Sequence, residues 1–221
     1  MIKYLYRSIA GLISKRSFYI VKSLAFDPGN RLQIPINLDF VRHKTLELCS
    51  NEIRVNNVEG NIAELGVYKG DFAIKLNELF PDRRLYLFDT FNGFDPRDFG
   101  KDKSKFLTEE QDFSDTNIEM VLKRMKHPEN CIFKKGYFPD TAMDIHDSFS
   151  FVSIDADLYE PILKGLEFFY SRLEKNGYIF VHDFNNMYYK GAREAVIEFC
   201  LKNKIGYVPI PDTGGSVIIT K

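Results

Sequence analysis

The feature that most constrains this chain is a regular alternation of short apolar runs with helical patterns, in which four of the runs end at or near an acid. Asn61–Leu65, Arg84–Phe88, Cys131–Phe133, Phe149–Ile154 and Gly177–Val181 read as strands. Between them the spacing predicts helices over residues 38–53, Asp71–Phe80, Ser114–Lys126, a segment opened by Glu160-Pro161 and running to about Leu173, and Gly191–Lys202. Such alternation builds a mostly parallel sheet with both faces covered. Tyr207–Ile210 and Ser216–Thr220 flank a turn at Asp212–Gly215 and read as a closing hairpin that adds one antiparallel strand. The expected fold is therefore α/β and doubly wound. In sheets of this kind a ligand sits beyond the carboxyl ends of the strands, near the switch point. Glu64, Asp89, Asp155 and Asp183 all fall on that edge. Residues 95–112 are polar and read as a loop or lid, with Gly93 and Gly100 as hinges.

Composition narrows the partners. Thirty basic against 31 acidic residues leave a formal net charge of -1, which gives no support to nucleic acid as a partner. Cys49, Cys131 and Cys200 are scattered, with neither disulfide nor zinc spacing, and fit a reducing cytoplasm. Residues 1–26 differ: Lys3, Arg7, Lys15, Arg16 and Lys22 are set among apolar residues, with no acid. The apolar runs there are too short to span a bilayer. Two readings stay open, a basic amphipathic segment on an anionic membrane surface and an arm packed on its own domain or on a second subunit of a homo-oligomer. A turn at Phe26–Asn30 marks the boundary region, so residues 1–37 are expected to form the arm and 38–221 the globular domain.

The first strand runs into Glu64-Leu-Gly-Val-Tyr-Lys-Gly70. This turn lacks the G-x-G-x-x-G of dinucleotide sites and the G-x-x-x-x-G-K-[ST] of phosphate loops. Gly66 and Gly70 still let the backbone approach a ligand closely. The helix that follows offers free N–H groups suited to a single carboxylate, such as that of the methionine part of S-adenosylmethionine. Asp89 is then placed to accept from ribose hydroxyls. A plain tight turn is the alternative for the two glycines, and core packing is the alternative for Tyr68, Phe91 and Phe138.

Six segments in order extend the pattern: Gly60–Gly70, Leu87–Phe94, Gly136–Thr141, Ile154–Pro161, Gly177–Phe184 and Gly191-Ala-Arg193. Together they resemble the macrocin O-methyltransferase family, over residues 38–221, and the first is also similar to catechol O-methyltransferase. The resemblance implies a Rossmann-like, seven-stranded, S-adenosylmethionine-dependent enzyme that methylates hydroxyls of sugars or sugar-bearing small molecules. It implies that Glu64, Gly66, Tyr68 and Gly70 line the methionine end. Asp89, Thr90 and Phe91 would hold the ribose and flank the adenine, with Gly136, Tyr137 and Phe138 closing that pocket. It also implies Mg²⁺ between Asp155 and Asp183. Here the sequence departs from the family, with His182-Asp183 where two acids are usual. Histidine suits magnesium poorly, so His182 is also a candidate general base, with Asp157 as its rival. Plainer roles are a strand-end histidine and, for Asp157, an N-cap of the helix at Glu160. Alternatives at the level of function are a metal-dependent methyltransferase for a catechol-like phenol and a non-catalytic cofactor-binding module.

Overall fold

The structure is a computed structural model that describes residues 38–221. The arm of residues 1–37, with the membrane or subunit contact expected of it, lies outside the described residues. Helix α1 (Phe40–Val55) starts where it does because the Asp39 carboxylate accepts from the Arg42 backbone N–H at 2.9 Å. The chain then alternates through β1 (Asn61–Leu65), α2 (Asp71–Leu79), β2 (Leu85–Asp89), α3 (Pro96–Phe106), α4 (Ile118–Leu122) and β3 (Cys131–Lys135). It continues through β4 (Phe149–Ile154), α5 (Tyr159–Arg172), β5 (Leu173–Val181), α6 (Lys190–Asn203), β6 (Val208–Pro209) and β7 (Val217–Thr220).

The seven strands lie in the order β3-β2-β1-β4-β5-β7-β6. Only β7 runs against its neighbours β5 and β6, as the closing hairpin predicts. The chain winds outward from β1 in one direction and from β4 in the other, which puts the switch point between those two strands. One apolar layer, with Leu46, Ile53, Phe72 and Leu76, joins α1 and α2 to one face. The other, with Ile162, Leu166, Phe169, Val196 and Phe199, joins α5 and α6 to the opposite face. With both faces covered, β4 is buried throughout and β1 from Ile62 onward, and the open carboxyl edge is left for ligands. Among the described residues no helix is long and apolar enough to cross a membrane.

Two segments differ from the sequence reading. The expected loop over 95–112 contains α3, whose start is fixed by Asp95 accepting from the Arg97 N–H at 3.0 Å, with Pro96 in the first turn. The residues α3 buries are Asp98 and Asp102, so an apolar period could not reveal it. Conversely, α4 is shorter than Ser114–Lys126. Its cap is Asn117, whose side-chain oxygen accepts from the Met120 N–H at 2.9 Å, while Ser114, at the start of the expected range, donates its hydroxyl to Asp112.

Candidate functional site

Past the strand ends the ladder hydrogen bonds continue for one more residue. Gly66 N–H donates to Phe88 O, Asp155 N–H to Leu65 O, His182 N–H to Ile154 O and Gly136 N–H to Asp89 O, all at 2.8–2.9 Å. Four loops are thereby pinned side by side around a cavity of about 470 Å³, lined among others by Glu64, Gly66, Tyr68, Asp89, Asp155, Asp157, His182 and Asp183. That volume is typical of a small-molecule site.

One half of the cavity is built on backbone. Asp89 Oδ2 accepts from the N–H groups of Val67 and Tyr68 at 2.7 and 2.8 Å, and Oδ1 from that of Phe91 at 2.6 Å. A carboxylate has about four acceptor positions, so Asp89 knits the loop after β1 to the loop after β2 and keeps capacity for one more donor. Gly66 has φ +86°, and a Cβ there would lie 1.9 Å from the carbonyl oxygen of Asp155. Only glycine lets these two loops touch. Glu64 is buried, and its Oε2 has no hydrogen-bond partner. Burial holds its carboxyl well above the ordinary range, against the pull of Arg42.

The other half is built of charged side chains from α1 and from the ends of β4 and β5. Arg42, from α1, places Nη1 2.8 Å from Asp155 Oδ2 and Nη2 3.2 Å from Ser153 Oγ, with its side chain only 8% exposed. His182 Nδ1 lies 3.1 Å from Asp155 Oδ1 and 3.0 Å from Asp183 Oδ2. Burial opposes the charge on His182, but Asp155 overcomes it and raises the imidazole to about 10. Burial likewise works against ionised Asp155, and His182 and Arg42 together hold it well below the usual range. Asp183 also accepts from Asn186 Nδ2 at 2.7 Å. Asp157 forms no ion pair among the described residues. Burial and then the neighbouring Asp183 and Asp155 push its carboxyl well up. Tyr68, Phe91, Asp157 and Asp183 all sit at φ between +48° and +60°, backbone strain concentrated at one edge of the sheet.

The family model for macrocin O-methyltransferase matches residues 40–212. The chain belongs to the macrocin O-methyltransferase family. A relative, demethyldecarbamoylnovobiocin O-methyltransferase of Streptomyces niveus, is 26% identical in an alignment of 176 positions that covers 73% of this chain and 66% of that protein. Among solved structures, the O-methyltransferase NovP superposes with a TM-score of 0.70 at 23% identity, covering 81% of this chain and 79% of that one. The calicheamicin methyltransferase CalS11 superposes with a TM-score of 0.65 at 18% identity, covering 81% and 78%. Both confirm the fold.

For this member of the macrocin O-methyltransferase family, the cavity gathers most of the residues picked out by sequence. Glu64, Gly66, Tyr68, Asp89, Thr90, Gly136, Tyr137, Phe138, Asp155, Asp157, His182 and Asp183 all line it. Gly70 and Phe91 lie elsewhere. Gly70 precedes α2 and packs on Val121, and the Phe91 ring is buried against Phe133. Asp157 does not cap α5. That helix starts at Tyr159 with no cap from its own flank, and Asp102 reaches across from α3 to accept the Tyr159 N–H at 3.1 Å. Sequence reasoning missed Arg42, His43, Asp98 and Tyr189, which also line the cavity. The one available signal was polar residues at inward positions of α1, since Arg42, His43 and Glu47 share its buried face with Leu46 and Ile53.

The magnesium that the resemblance implies meets an awkward donor set. Asp155, His182 and Asp183 each offer an atom within 4.8 Å of the others. Two carboxylate oxygens at hydrogen-bond distance from Nδ1 call for a hydrogen on that nitrogen, which then has no lone pair for a metal. The free oxygen of Asp155 already faces a guanidinium. As arranged, these residues do not fit a hard dication that wants oxygen ligands.

Proposed function

We propose that this protein is an S-adenosylmethionine-dependent O-methyltransferase whose acceptor is a hydroxyl of a sugar or a sugar-bearing small molecule. The observation that carries the reading is a cavity at the switch point, in which a backbone-built half meets a cluster of strand-end acids. When bound, the cofactor supplies a methyl on a sulfonium, which an acceptor oxygen takes while sulfur keeps the electrons of the broken bond. Glu64 fits the positive methionine end, because its buried, unpartnered oxygen needs a donor. Asp89, with its remaining acceptor position, would bind a ribose hydroxyl. Phe138 and the Tyr137 ring, stacked by Arg97 at 3.5 Å, would flank the base.

Asp157 is the group we assign to take the acceptor's proton. A sugar hydroxyl is a poor nucleophile until it is deprotonated. Of the acids here, Asp155 is neutralised by Arg42 and His182, and Asp183 is held by His182 and Asn186. Among the three acids that follow β4 and β5, Asp157 is the one with no ion pair to a described residue. The Tyr189 hydroxyl, buried without a partner, would orient the acceptor. CalS11 is by name a TDP-rhamnose 3'-O-methyltransferase of calicheamicin biosynthesis, which favours sugars over phenols. Cytoplasmic placement, with residues 1–26 touching a membrane surface or a second subunit, belongs to the same reading. The test is calorimetry with S-adenosylhomocysteine, followed by turnover on a panel of nucleotide sugars, glycosides and catechols. Absence of saturable heat on folded protein would remove the cofactor assignment, and turnover confined to catechols would remove the sugar.

A further inference from the structure

We infer that Arg42 stands in the position a divalent cation would otherwise fill at the acceptor half, so that this chain keeps its strand-end acids in register with an internal cation and binds no metal there. The inference rests on the methyltransferase reading for its meaning but not for its test.

Three observations meet. First, the Arg42 guanidinium is sunk beneath the site. It contacts Asp155 at 2.8 Å and Ser153 at 3.2 Å, and its Nε is buried without a partner. A buried guanidinium has to keep its carboxylate partner, since losing it leaves an uncompensated charge. Asp155 is therefore committed, and any second cation on it would face Arg42 at close range. Second, the remaining oxygen of Asp155 and one oxygen of Asp183 both turn to His182 Nδ1, at 3.1 and 3.0 Å. The hydrogen on that nitrogen ties the two acids to the histidine, so neither of those oxygens is open to a metal. Third, His182 cannot turn its other nitrogen in easily. A Cβ on Gly214 would lie 2.5 Å from His182 Nε2, so the ring edge is packed against the loop between β6 and β7. The same loop is tied to α1, where Asp39 Oδ2 accepts from the Thr213 N–H at 2.6 Å. Helix α1 thus brings both the arginine and the strut that braces the histidine opposite it.

Charge follows the same logic. Asp155, Asp157, Asp183 and Glu64 crowd one end of the cavity, and Arg42 is the fixed positive charge among them. Its part is positional. It keeps Asp155 anionic and aimed at the histidine, and it leaves Asp157 without an ion pair.

Manganese is the probe. Full-length protein, stripped with chelator and checked for S-adenosylhomocysteine binding, is titrated with Mn²⁺ and read by the loss of the free-ion paramagnetic signal. The wild type is expected to leave that signal unchanged at one equivalent. His182→Asp alone restores two acids and should bind weakly because Arg42 remains. Arg42→Ala with His182→Asp should bind Mn²⁺ at least tenfold more tightly than His182→Asp. Saturable one-to-one binding by the wild type that disappears in Asp183→Asn would overturn the inference. So would a folded double variant that binds no better than His182→Asp. If the double variant does not fold, Arg42→Met with His182→Asp keeps the apolar bulk, and the wild-type titration decides alone if need be. Loss of nucleoside binding in the same samples would count against the methyltransferase reading and leave the metal result standing.

Discussion

The two halves of the cavity are built by different means. Around Gly66 and Asp89 the contacts are backbone to backbone or carboxylate to backbone, across neighbouring strands. Around Asp155 the side chains of Arg42, His182 and Asp183 are set by charge pairing, and they come from α1 and from the ends of β4 and β5. A backbone-built site is a property of local turns, and changing it disturbs shape. A site built of charged side chains can lose its chemistry while the fold persists where a member without an ion pair, such as Asp157, is neutralised isosterically. The predictions below probe that contrast, beginning with the largest effect.

Asp157→Asn should lower turnover by about 100-fold or more, the usual worth of a positioned base, with S-adenosylhomocysteine affinity within about twofold of wild type. Steady-state kinetics beside calorimetry reads both. Full activity would move the proton to another group and dissolve the division of labour between the halves.

Gly66→Ala joins the halves in one failure. Its Cβ would meet the Asp155 carbonyl oxygen at 1.9 Å, backbone against backbone, in a left-handed conformation. We expect a stability loss on the order of 3 kcal/mol and loss of nucleoside binding, measured by thermal unfolding with and without ligand. A normal melting temperature would show that the loops can part freely.

Asp89→Asn should weaken the nucleoside by about tenfold, because the amide cannot accept on both atoms and charge-assisted bonds to three N–H groups are lost. The matching change at the other half, Asp155→Asn, should leave nucleoside affinity nearly unchanged. Equal effects at both positions would erase the contrast.

The smallest effect concerns Asp102 on the buried face of α3. Burial raises its carboxyl to about 6 from an ordinary 3.8. The folded state therefore holds the proton at a pH where the unfolded chain has released it, so stability falls as pH rises from about 4 to about 6 and is level above that. Asp102→Asn should flatten that slope, and at pH 7 it should be no less stable than wild type. A slope that survives the substitution would assign the proton to another group.

Particular residues show why one half was easier to read from sequence. Glu64, Gly66 and Asp89 stand at fixed places relative to strands β1 and β2, and the strand period alone puts them on the carboxyl edge. Asp155, Asp157 and His182-Asp183 were found for the same reason. Their pairing was not, since Arg42 lies 113 positions from Asp155 and on a helix where arginine usually faces solvent. Helix α3 was hidden likewise, because it buries aspartates rather than leucines.

The sequence by itself determined the alternation, the count of strands, the antiparallel closure and the edge on which the acids gather, because side-chain period and turn residues act over a few positions. Only the tertiary structure decided which acid carries a cation and which does not. That choice depends on which helix end is packed beneath β4, on the loop after β6 that braces His182, and on how much water each charge has lost. Such desolvated pairings are set by contacts between residues far apart in the chain, and no local pattern encodes them.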